Sequence, residues 1–369
     1  MTEDGLFRRA IAELIPYEPG KPIEEVQREL GLARVVKLAS NEGPYPPFPE
    51  AIEAIERASR QLNRYPDGGV YALRTALAER HGVRFEEIVV GSGADGVIDL
   101  LSQATLDPGD EIVCGWPSFA SYPLAAAKLG AVPRFVPLRA HTYDLEALLA
   151  AIGPRTKLVY VCHPNNPTGT GNGRAELGAF LDRVPDHVLV VLDQAYFEYV
   201  DDPDYADGIE EHFKAGRPIV VLRTFSKIYG LAGLRVGYGV APADVVEATS
   251  KVRRAFDVSA PAQAAALASL GDDAEIARRR AANAEGRVVL DAALRAHGLE
   301  PVGPALGNFL FVEVGDGRQF FDRLLRQGVI VRPLASFGAP EAIRVTVGTP
   351  EDNAFFADAL GHVLSGVSF

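Results

Sequence analysis

The sequence predicts an α/β fold built around a parallel sheet. Seven short apolar segments of strand length alternate with helical segments, at Ile88–Val90, Glu111–Cys114, Ala131–Val136, Lys157–Cys162, Val188–Asp193, Ile219–Phe225 and Val236–Val240. Continuous apolar runs separated by helices are typical of a parallel sheet that helices cover on both faces. A chain of 369 residues with 47% hydrophobic content can also bury a large core, and such a length favours two domains.

The pattern changes after Ser259, where long helices and then separated strands predict a smaller α+β domain. The expected elements are helices at Ala260–Leu270, Ala274–His297 and Arg318–Gln327, strands at Phe309–Val314, Ile330–Pro333 and Ala342–Val347, and a last helix. Thr349 and Pro350 open that helix as N-cap and first-turn residue. We expect an N-terminal arm at 1–40 that packs on the small domain or a partner subunit, a large domain at 41–258 and a small domain at 259–369.

Composition excludes several classes of function. The net charge of −12 argues against a nucleic-acid partner, and the longest basic run, Arg278-Arg279-Arg280, is expected to form a solvated helix face. No apolar run approaches the length that spans a bilayer, and Met1–Arg9 lacks an apolar signal core, so we expect a cytoplasmic protein without a membrane partner. Cys114 and Cys162 lie in apolar strands without metal-ligand spacing, which predicts buried free thiols and no metal.

A glycine-rich turn follows the first predicted strand. Gly91-Ser92-Gly93-Ala94-Asp95-Gly96 leads into a helical segment, so backbone N–H groups gather at a helix N-terminus, which attracts phosphate. The alternative is an ordinary tight turn with Asp95 as N-cap. The glycines also match the dinucleotide fingerprint literally, and Asp110 lies near the distance expected of its acidic residue.

Polar side chains follow two further strands. Asn166 lies in the loop after Lys157–Cys162, and Asp193 and Tyr196 follow the next strand. Each alone could belong to an Asn-Pro turn or a helix cap. Because the carboxyl ends of parallel strands meet at one edge of a sheet, we expect these groups to lie together.

Lys227 follows the strand Ile219–Phe225 at the same expected edge. A lysine at the end of a buried strand is partly desolvated, and its neutral amine can form a Schiff base with a carbonyl compound. Position alone does not distinguish it from a solvated surface lysine. A lysine, a carboxylate, an amide with a phenol and a phosphate loop together match the needs of pyridoxal 5′-phosphate. A nicotinamide dehydrogenase has no use for Ser226-Lys227.

These motifs resemble the histidinol-phosphate aminotransferase family, which are fold-type I enzymes that depend on pyridoxal 5′-phosphate. The resemblance runs from Ile15–Pro22 to the final helix and rests on Pro164–Gly169, Ser226-Lys227 with Arg235, and Ile343–Gly348. It implies a large domain with a mostly parallel seven-stranded sheet, and ping-pong transfer of an amino group between histidinol phosphate and 2-oxoglutarate. It also implies a homodimer with shared active sites.

The resemblance implies a set of cofactor-binding residues. They are Ala94, Asp95, Phe119, Asn166, Asp193, Tyr196, Thr224, Ser226, Lys227, Arg235 and, from the other subunit, Tyr65. Lys227 would carry the Schiff base and move the substrate's Cα proton, Asp193 would bond the ring nitrogen, and Asn166 and Tyr196 would bond the phenolic oxygen. Ser226, Arg235, Thr224 and the backbone of Ala94 and Asp95 would hold the phosphate. Phe119 would stack on the ring, where the alternative is a plain core aromatic.

The resemblance also implies that four residues contact substrate, namely Tyr17, Asn41, Arg332 and Arg344. A guanidinium presents a planar fork that fits either phosphate or carboxylate, so one arginine site could accept both substrates. Either arginine could instead be a surface residue at a strand end.

Three positions depart from the family pattern. Relatives commonly have asparagine at Gly43, glutamate at Gln194 and serine or threonine at Ala94. The change at Gly43 touches the substrate entrance and leaves the amino donor open, so a phenylalanine or tyrosine aminotransferase is the first alternative. A decarboxylase that uses the same cofactor is the second, and a non-catalytic aminotransferase-like domain is the third.

Overall fold

The structure is a computed structural model that describes residues 7–12, 14 and 20–365. Its strands are β1 Val36–Lys37, β2 Ile88–Gly91, β3 Glu111–Trp116, β4 Val132–Pro137, β5 Thr156–Cys162, β6 Leu189–Asp193, β7 Ile219–Thr224, β8 Gly237–Val240, β9 Phe309–Glu313, β10 Val329–Ile330, β11 Arg332–Leu334 and β12 Ala339–Thr346.

The helices lie mainly between these strands. They are α1 Arg9–Ala12, α2 Ile23–Leu30, α3 Pro49–Ser59, α4 Tyr71–His81, α5 Gly93–Thr105, α6 Ser121–Leu129, α7 Leu145–Ala151, α8 Arg174–Leu181, α9 Ala243–Val252, α10 Ala260–Ser269, α11 Asp273–Arg295, α12 Gly317–Arg326 and α13 Pro350–Ser365. Among the described residues, no helix is long and apolar enough to cross a membrane.

The strands β2 to β8 form one seven-stranded sheet in the order β2-β8-β7-β6-β5-β3-β4. Every neighbouring pair is parallel except the two pairs that β8 makes with β2 and β7. Each of the seven predicted strands therefore exists, and the predicted α/β class with a mostly parallel sheet is confirmed. The central strands β5, β6 and β7 are buried almost throughout because helices cover both faces of the sheet.

A second, antiparallel sheet has the order β11-β12-β9, and β1 pairs separately with β10. The predicted single strand Ile330–Pro333 is wrong, since the chain leaves β10 and joins the other sheet as β11. The predicted N-cap is confirmed, because the Thr349 hydroxyl accepts a hydrogen bond from the backbone N–H of Asp352 at 3.2 Å.

Buried apolar residues form a large cluster around the seven-stranded sheet and a smaller one around β9, β12 and α13. Val36 and Leu38 of the N-terminal segment belong to the smaller cluster, whereas Ala262 and Ala266 of α10 belong to the larger one. The division of the chain into an arm and two domains stays a prediction, and we propose moving its second boundary from 259 to the start of α11.

The arginine triplet does not form the uniform solvated face that we expected. Arg278 is exposed, but Arg279 is buried and donates hydrogen bonds to the backbone oxygens of Ile228 at 3.0 Å and Pro46 at 2.8 Å. Its position in the helical period turns it toward the loop after β7, so α11 supports the segment that carries Lys227.

Candidate active site

A cleft with about 700 Å³ of empty space opens at the carboxyl edge of the large sheet. It is lined by Ser40, Asn41, Ala94, Asp95, Phe119, Cys162, Asn166, Asp193, Ala195, Tyr196, Thr224, Ser226, Lys227, Arg235, Phe337 and Arg344. Parallel register creates this convergence, since Cys162 at the end of β5 is paired with Asp193 at the end of β6. The edge therefore collects the polar groups that follow three successive strands.

Lys227 lies just beyond β7, and its Nζ donates a hydrogen bond to the backbone oxygen of Ser40 at 3.4 Å. Burial first, and then the positive charge of Arg344, lower the pKa of Lys227 to about 8. Nζ also lies 5.3 Å from the centre of the Tyr196 ring. A substantial fraction of this amine is therefore neutral near physiological pH and able to act as nucleophile or base.

Asp193 is buried at the floor of the cleft and receives one hydrogen bond on each carboxylate oxygen. Oδ1 accepts from the backbone N–H of Ala195 at 3.0 Å, and Oδ2 accepts from the Tyr122 hydroxyl at 2.7 Å. Burial raises the pKa of Asp193 to about 6, although both hydrogen bonds act in the opposite direction. A cation beside this carboxylate would stabilise its charged form.

Tyr196 connects the floor of the cleft to its entrance. Its hydroxyl accepts a hydrogen bond from the Asn41 side chain at 3.0 Å, and Asn41 Oδ1 accepts one from the Thr346 hydroxyl at 2.8 Å. Burial raises the pKa of Tyr196 well above its ordinary value, which keeps the phenol neutral. The second sheet is thus hydrogen-bonded to the side chains that follow β6.

One end of the cleft has the chemistry of a phosphate site. The Arg235 guanidinium donates to the Ser226 hydroxyl at 3.3 Å and pairs with Asp95 at 3.3 Å, next to the start of α5. Gly237 lets β8 pass against this helix start, because a Cβ there would lie 2.5 Å from the Ala94 nitrogen. A helix N-terminus, an arginine and a hydroxyl form a suitable anion site. The helix begins at Gly93, so Asp95 lies in its first turn and is not the N-cap.

Arg344 closes the opposite side of the cleft from β12. Its guanidinium donates to the backbone oxygen of Ala39 at 2.6 Å and to the side-chain oxygen of Asn166. The ring of Phe337 lies 5.7 Å from the Arg344 guanidinium carbon. Arg344 is therefore held by the segment after β1, by the loop after β5 and by an aromatic face.

Two predicted residues do not line this cleft, and a third is not described by the structure. Arg332 pairs with Arg344 in strand register but lines a neighbouring pocket with Lys21 and Arg318. Tyr65 is 80% exposed and stacks on Phe256, with 4.4 Å between ring centres. Tyr17 lies outside the described residues. The other predicted site residues line the cleft, and their roles stay predictions.

The sequence did not indicate four further residues at or beside the cleft, namely Tyr122, Thr346, Phe337 and Ser40. Tyr122 lies three residues after Phe119, and the two rings meet edge to face with 5.5 Å between centres. No local pattern indicates that Tyr122 reaches Asp193, because that contact depends on how α6 packs against the sheet. Thr346 lies two residues after Arg344 and so faces the same side of β12, which was the available signal.

The contacts of Gln194 and Gly43 explain two of the three positions that depart from the family pattern. Gln194 is fully buried, and its side chain donates to the Tyr205 hydroxyl at 2.9 Å while accepting from Arg223 at 3.0 Å. An amide can do both at once, whereas a carboxylate can only accept. A Cβ at Gly43 would lie 2.6 Å from the Lys227 backbone oxygen, so the entrance loop packs directly on the lysine segment.

A family model described as aminotransferase class I and II matches residues 33–360. The chain belongs to this aminotransferase family. It is 48% identical over 360 residues to a histidinol-phosphate aminotransferase of Moorella thermoacetica, covering 97% of this chain and 93% of that protein.

Two solved structures extend the comparison. The structure of histidinol-phosphate aminotransferase from Sinorhizobium meliloti in complex with pyridoxal 5′-phosphate is 28% identical, covers 98% of both chains and superimposes with a TM-score of 0.87. Aspartate aminotransferase from Thermus thermophilus with maleate is 28% identical, covers 94% of this chain and 97% of that chain, and has a TM-score of 0.82. The predicted fold type and family are confirmed, whereas the shared fold accommodates more than one substrate.

The donor set of this aminotransferase fits pyridoxal 5′-phosphate. Lys227 offers a partly neutral amine for a Schiff base. Asp193 offers a buried carboxylate, and a protonated ring nitrogen beside it would stabilise its charged form. The anion site at Arg235 and α5 lies along the same cleft. No cluster of three or more acidic, histidine or cysteine side chains that could hold a metal occurs in the part of the chain that the structure describes.

Proposed function

We propose that this aminotransferase uses pyridoxal 5′-phosphate to transfer an amino group between histidinol phosphate and 2-oxoglutarate, in the biosynthesis of histidine. The chemistry is supported by one observation above all, the convergence of Lys227 and Asp193 in a single cleft. The substrate is supported by similarity along nearly the whole chain to a histidinol-phosphate aminotransferase.

The cofactor would be held at three points. Ser226, Arg235, Thr224 and the backbone at Ala94 and Asp95 would bind its phosphate, and Asp193 would bind its ring nitrogen. Asn166 and Tyr196 would bond its phenolic oxygen, while Phe119 would cover its ring. Bound there, the cofactor supplies an aldehyde for amine exchange and a protonated ring that acts as an electron sink.

Lys227 Nζ would move the proton of the substrate's Cα. Its pKa of about 8 is suited to this task, because a general base works best when its pKa lies near the operating pH. The cleft walls also limit its freedom, since Ser40 and Tyr196 lie beside the amine. A base that is already positioned avoids the entropic cost of bringing it to the substrate.

Arg344 would bind the substrate's anionic group. Its planar guanidinium lies in the cleft, 5.7 Å from the ring of Phe337, and can present two parallel N–H groups to a carboxylate or a phosphate. Arg332, in the neighbouring pocket, would act at the outer end of a longer substrate. With both arginines, one site could accept histidinol phosphate and 2-oxoglutarate in turn, as ping-pong transfer requires.

We further propose a cytoplasmic homodimer in which Tyr65 completes the partner's phosphate site. The exposure of Tyr65 and its stacking on Phe256 support this, because the pair offers a rigid aromatic surface outside its own cleft. Both cysteines are buried free thiols, the form that a reducing compartment preserves. Mixing Lys227→Ala and Tyr65→Ala subunits tests the shared site, since hybrid dimers would regain one complete site.

The substrate proposal is tested by half-transamination of the purified enzyme. Histidinol phosphate and phenylalanine are each added without an acceptor, and conversion of the bound cofactor is followed by absorbance. We expect histidinol phosphate to react with the higher second-order rate constant. A large preference for phenylalanine would overturn the substrate while leaving the chemistry intact, and absence of reaction with every amine donor would overturn both.

A further inference from the structure

The side chain of Tyr122 forms a contact that the proposed roles do not use. Tyr122 is fully buried at the start of α6, and its hydroxyl donates a hydrogen bond to Asp193 Oδ2 at 2.7 Å. Its ring stacks on Tyr160 with 4.3 Å between centres and an interplanar angle of 13°. The phenol therefore has little freedom to leave the carboxylate.

The two donors to Asp193 determine its orientation. The Ala195 N–H binds Oδ1 at 3.0 Å from the loop after β6, and the Tyr122 hydroxyl binds Oδ2 from a different helix. A carboxylate with one fixed donor on each oxygen is constrained in its χ2 rotation, so the way Asp193 presents its oxygens to the cleft that it lines is fixed as well. Loss of either donor would free that rotation.

We infer that Tyr122 is a positioning residue of this aminotransferase, which keeps the Asp193 carboxylate ionised and aimed at a cationic ring nitrogen in the cleft. The inference rests on the proposed cofactor and deepens it. Tyr122 acts through Asp193 and does not line the cleft itself.

The electrostatic surroundings of Asp193 make this donor important. Burial and, to a smaller extent, the charge of Asp95 on α5 raise the pKa of Asp193, whereas its two hydrogen bonds and the charge of Lys227 lower it. The resulting pKa is about 6. Burial also raises the pKa values of Cys162 on β5, Tyr160 and Tyr196, so these neighbours stay neutral. Tyr122 itself stays protonated, because burial and the Asp193 charge raise its pKa well above the ordinary value. Without the Tyr122 donor, the pKa of Asp193 would rise toward the pH at which the enzyme works.

The test compares Tyr122→Phe with Tyr160→Phe, which removes a buried hydroxyl from the adjacent ring. The Tyr160 hydroxyl bonds Ser102 Oγ at 3.4 Å and leaves the two hydrogen bonds to Asp193 in place. Binding of pyridoxamine 5′-phosphate to the cofactor-free proteins is measured by calorimetry between about pH 5 and pH 9. This probe cannot form an imine, so the titration of Lys227 does not enter as a covalent step.

In the wild-type protein, affinity for pyridoxamine 5′-phosphate should fall as the pH decreases, with a midpoint at the pH where Asp193 becomes half protonated. In Tyr122→Phe this midpoint should lie roughly one to two pH units higher, which is the effect of losing one hydrogen bond to a charged group. At about pH 6 the dissociation constant should therefore rise roughly fivefold to fiftyfold, and the difference from the wild type should shrink above about pH 8. Tyr160→Phe should keep the wild-type midpoint, and Tyr122→Phe should add no further shift in an Asp193→Asn background.

The outcomes separate the two proposals. If the wild-type protein binds neither pyridoxamine 5′-phosphate nor pyridoxal 5′-phosphate, the proposed function fails, and the inference fails with it. If the wild type binds but Tyr122→Phe keeps the same midpoint as Tyr160→Phe, only the inference fails.

A second measurement does not depend on the folding of Tyr122→Phe. With 13C at the Cζ atoms of tyrosine, the Tyr122 resonance of the cofactor-free wild-type protein should shift with a midpoint near the pKa of Asp193, which is about 6. In Asp193→Asn that shift should disappear. A Tyr122 resonance that is flat with pH in the wild-type protein would overturn the inference.

Discussion

The two walls of the cleft hold their side chains in different ways. On the wall of the seven-stranded sheet, Asp193 ends β6 and Lys227 lies beyond β7, and the parallel register of these buried strands brings both to one edge. On the other wall, Arg344 lies within the antiparallel strand β12, donates to the backbone of Ala39 in the adjacent segment and reaches Asn166 in the loop after β5. The residues of the first wall are held in fixed positions by their strands and are proposed to bind the cofactor. The second wall contacts the first through side-chain hydrogen bonds and packing. We expect changes on the first wall to lower kcat and changes on the second to raise KM.

Lys227→Ala should have the largest effect. Removal of the amine deletes both the nucleophile and the general base, so kcat should fall by at least about 1,000-fold. The measurement is single-turnover conversion of the cofactor by histidinol phosphate. Lys214→Ala, which removes a surface lysine paired with Glu210 at 2.7 Å, is the matched control and should leave the rate unchanged. Nearly normal turnover by Lys227→Ala would contradict the proposed chemistry.

Asp193→Asn should have the next largest effect on the same wall. The amide keeps the shape of the side chain but cannot balance a positive charge on the ring nitrogen, so kcat should fall by roughly 100-fold to 1,000-fold. KM for histidinol phosphate should change much less, because no substrate group is proposed to touch Asp193. If Asp193→Asn instead raised KM for histidinol phosphate and left kcat unchanged, Asp193 would act in substrate binding and not on the cofactor.

Arg344→Lys examines the second wall. Lysine keeps the charge but loses the planar fork, so kcat/KM for 2-oxoglutarate should fall roughly 10-fold to 100-fold, mainly through KM. Arg332→Lys should cost less with 2-oxoglutarate than with the longer histidinol phosphate, because Arg332 lines the neighbouring pocket. Steady-state kinetics with both substrates measure the difference. Equal losses for both arginines with both substrates would remove the distinction between an inner and an outer site.

The difference between the parallel and the antiparallel sheet also explains which site residues the sequence could predict. Strand ends of a parallel sheet converge by geometry, so apolar runs and the residues after them were enough to bring Asn166, Asp193, Tyr196 and Lys227 to one edge. No comparable rule predicts which side chains of the antiparallel sheet meet at a site. Arg332 and Arg344 are direct partners in register, yet they line different pockets.

Residues that act through a neighbour were also beyond sequence reasoning. Tyr122 meets Asp193 from 71 positions away along the chain, and its role depends on the packing angle of α6. Gln194 matches a hydrogen-bonding network that includes Arg223 and Tyr205, which no local pattern reveals. Long-range side-chain contacts of this kind depend on tertiary packing, whereas strand ends follow from periodicity.

A smaller effect tests how strongly the walls are coupled. Arg344 is the second cause of the lowered pKa of Lys227, after burial. Removing the guanidinium charge in Arg344→Gln should therefore raise that pKa from about 8, by less than one unit since burial remains. The neutral amine is the reactive form, so reaction of the cofactor-free enzyme with pyridoxal 5′-phosphate should accelerate through a higher pH midpoint in the variant. Arg332→Gln, which removes a guanidinium from the neighbouring pocket, is the control and should keep the wild-type midpoint. If Arg344→Gln leaves the midpoint in place, the two walls are electrostatically independent and burial alone tunes the lysine.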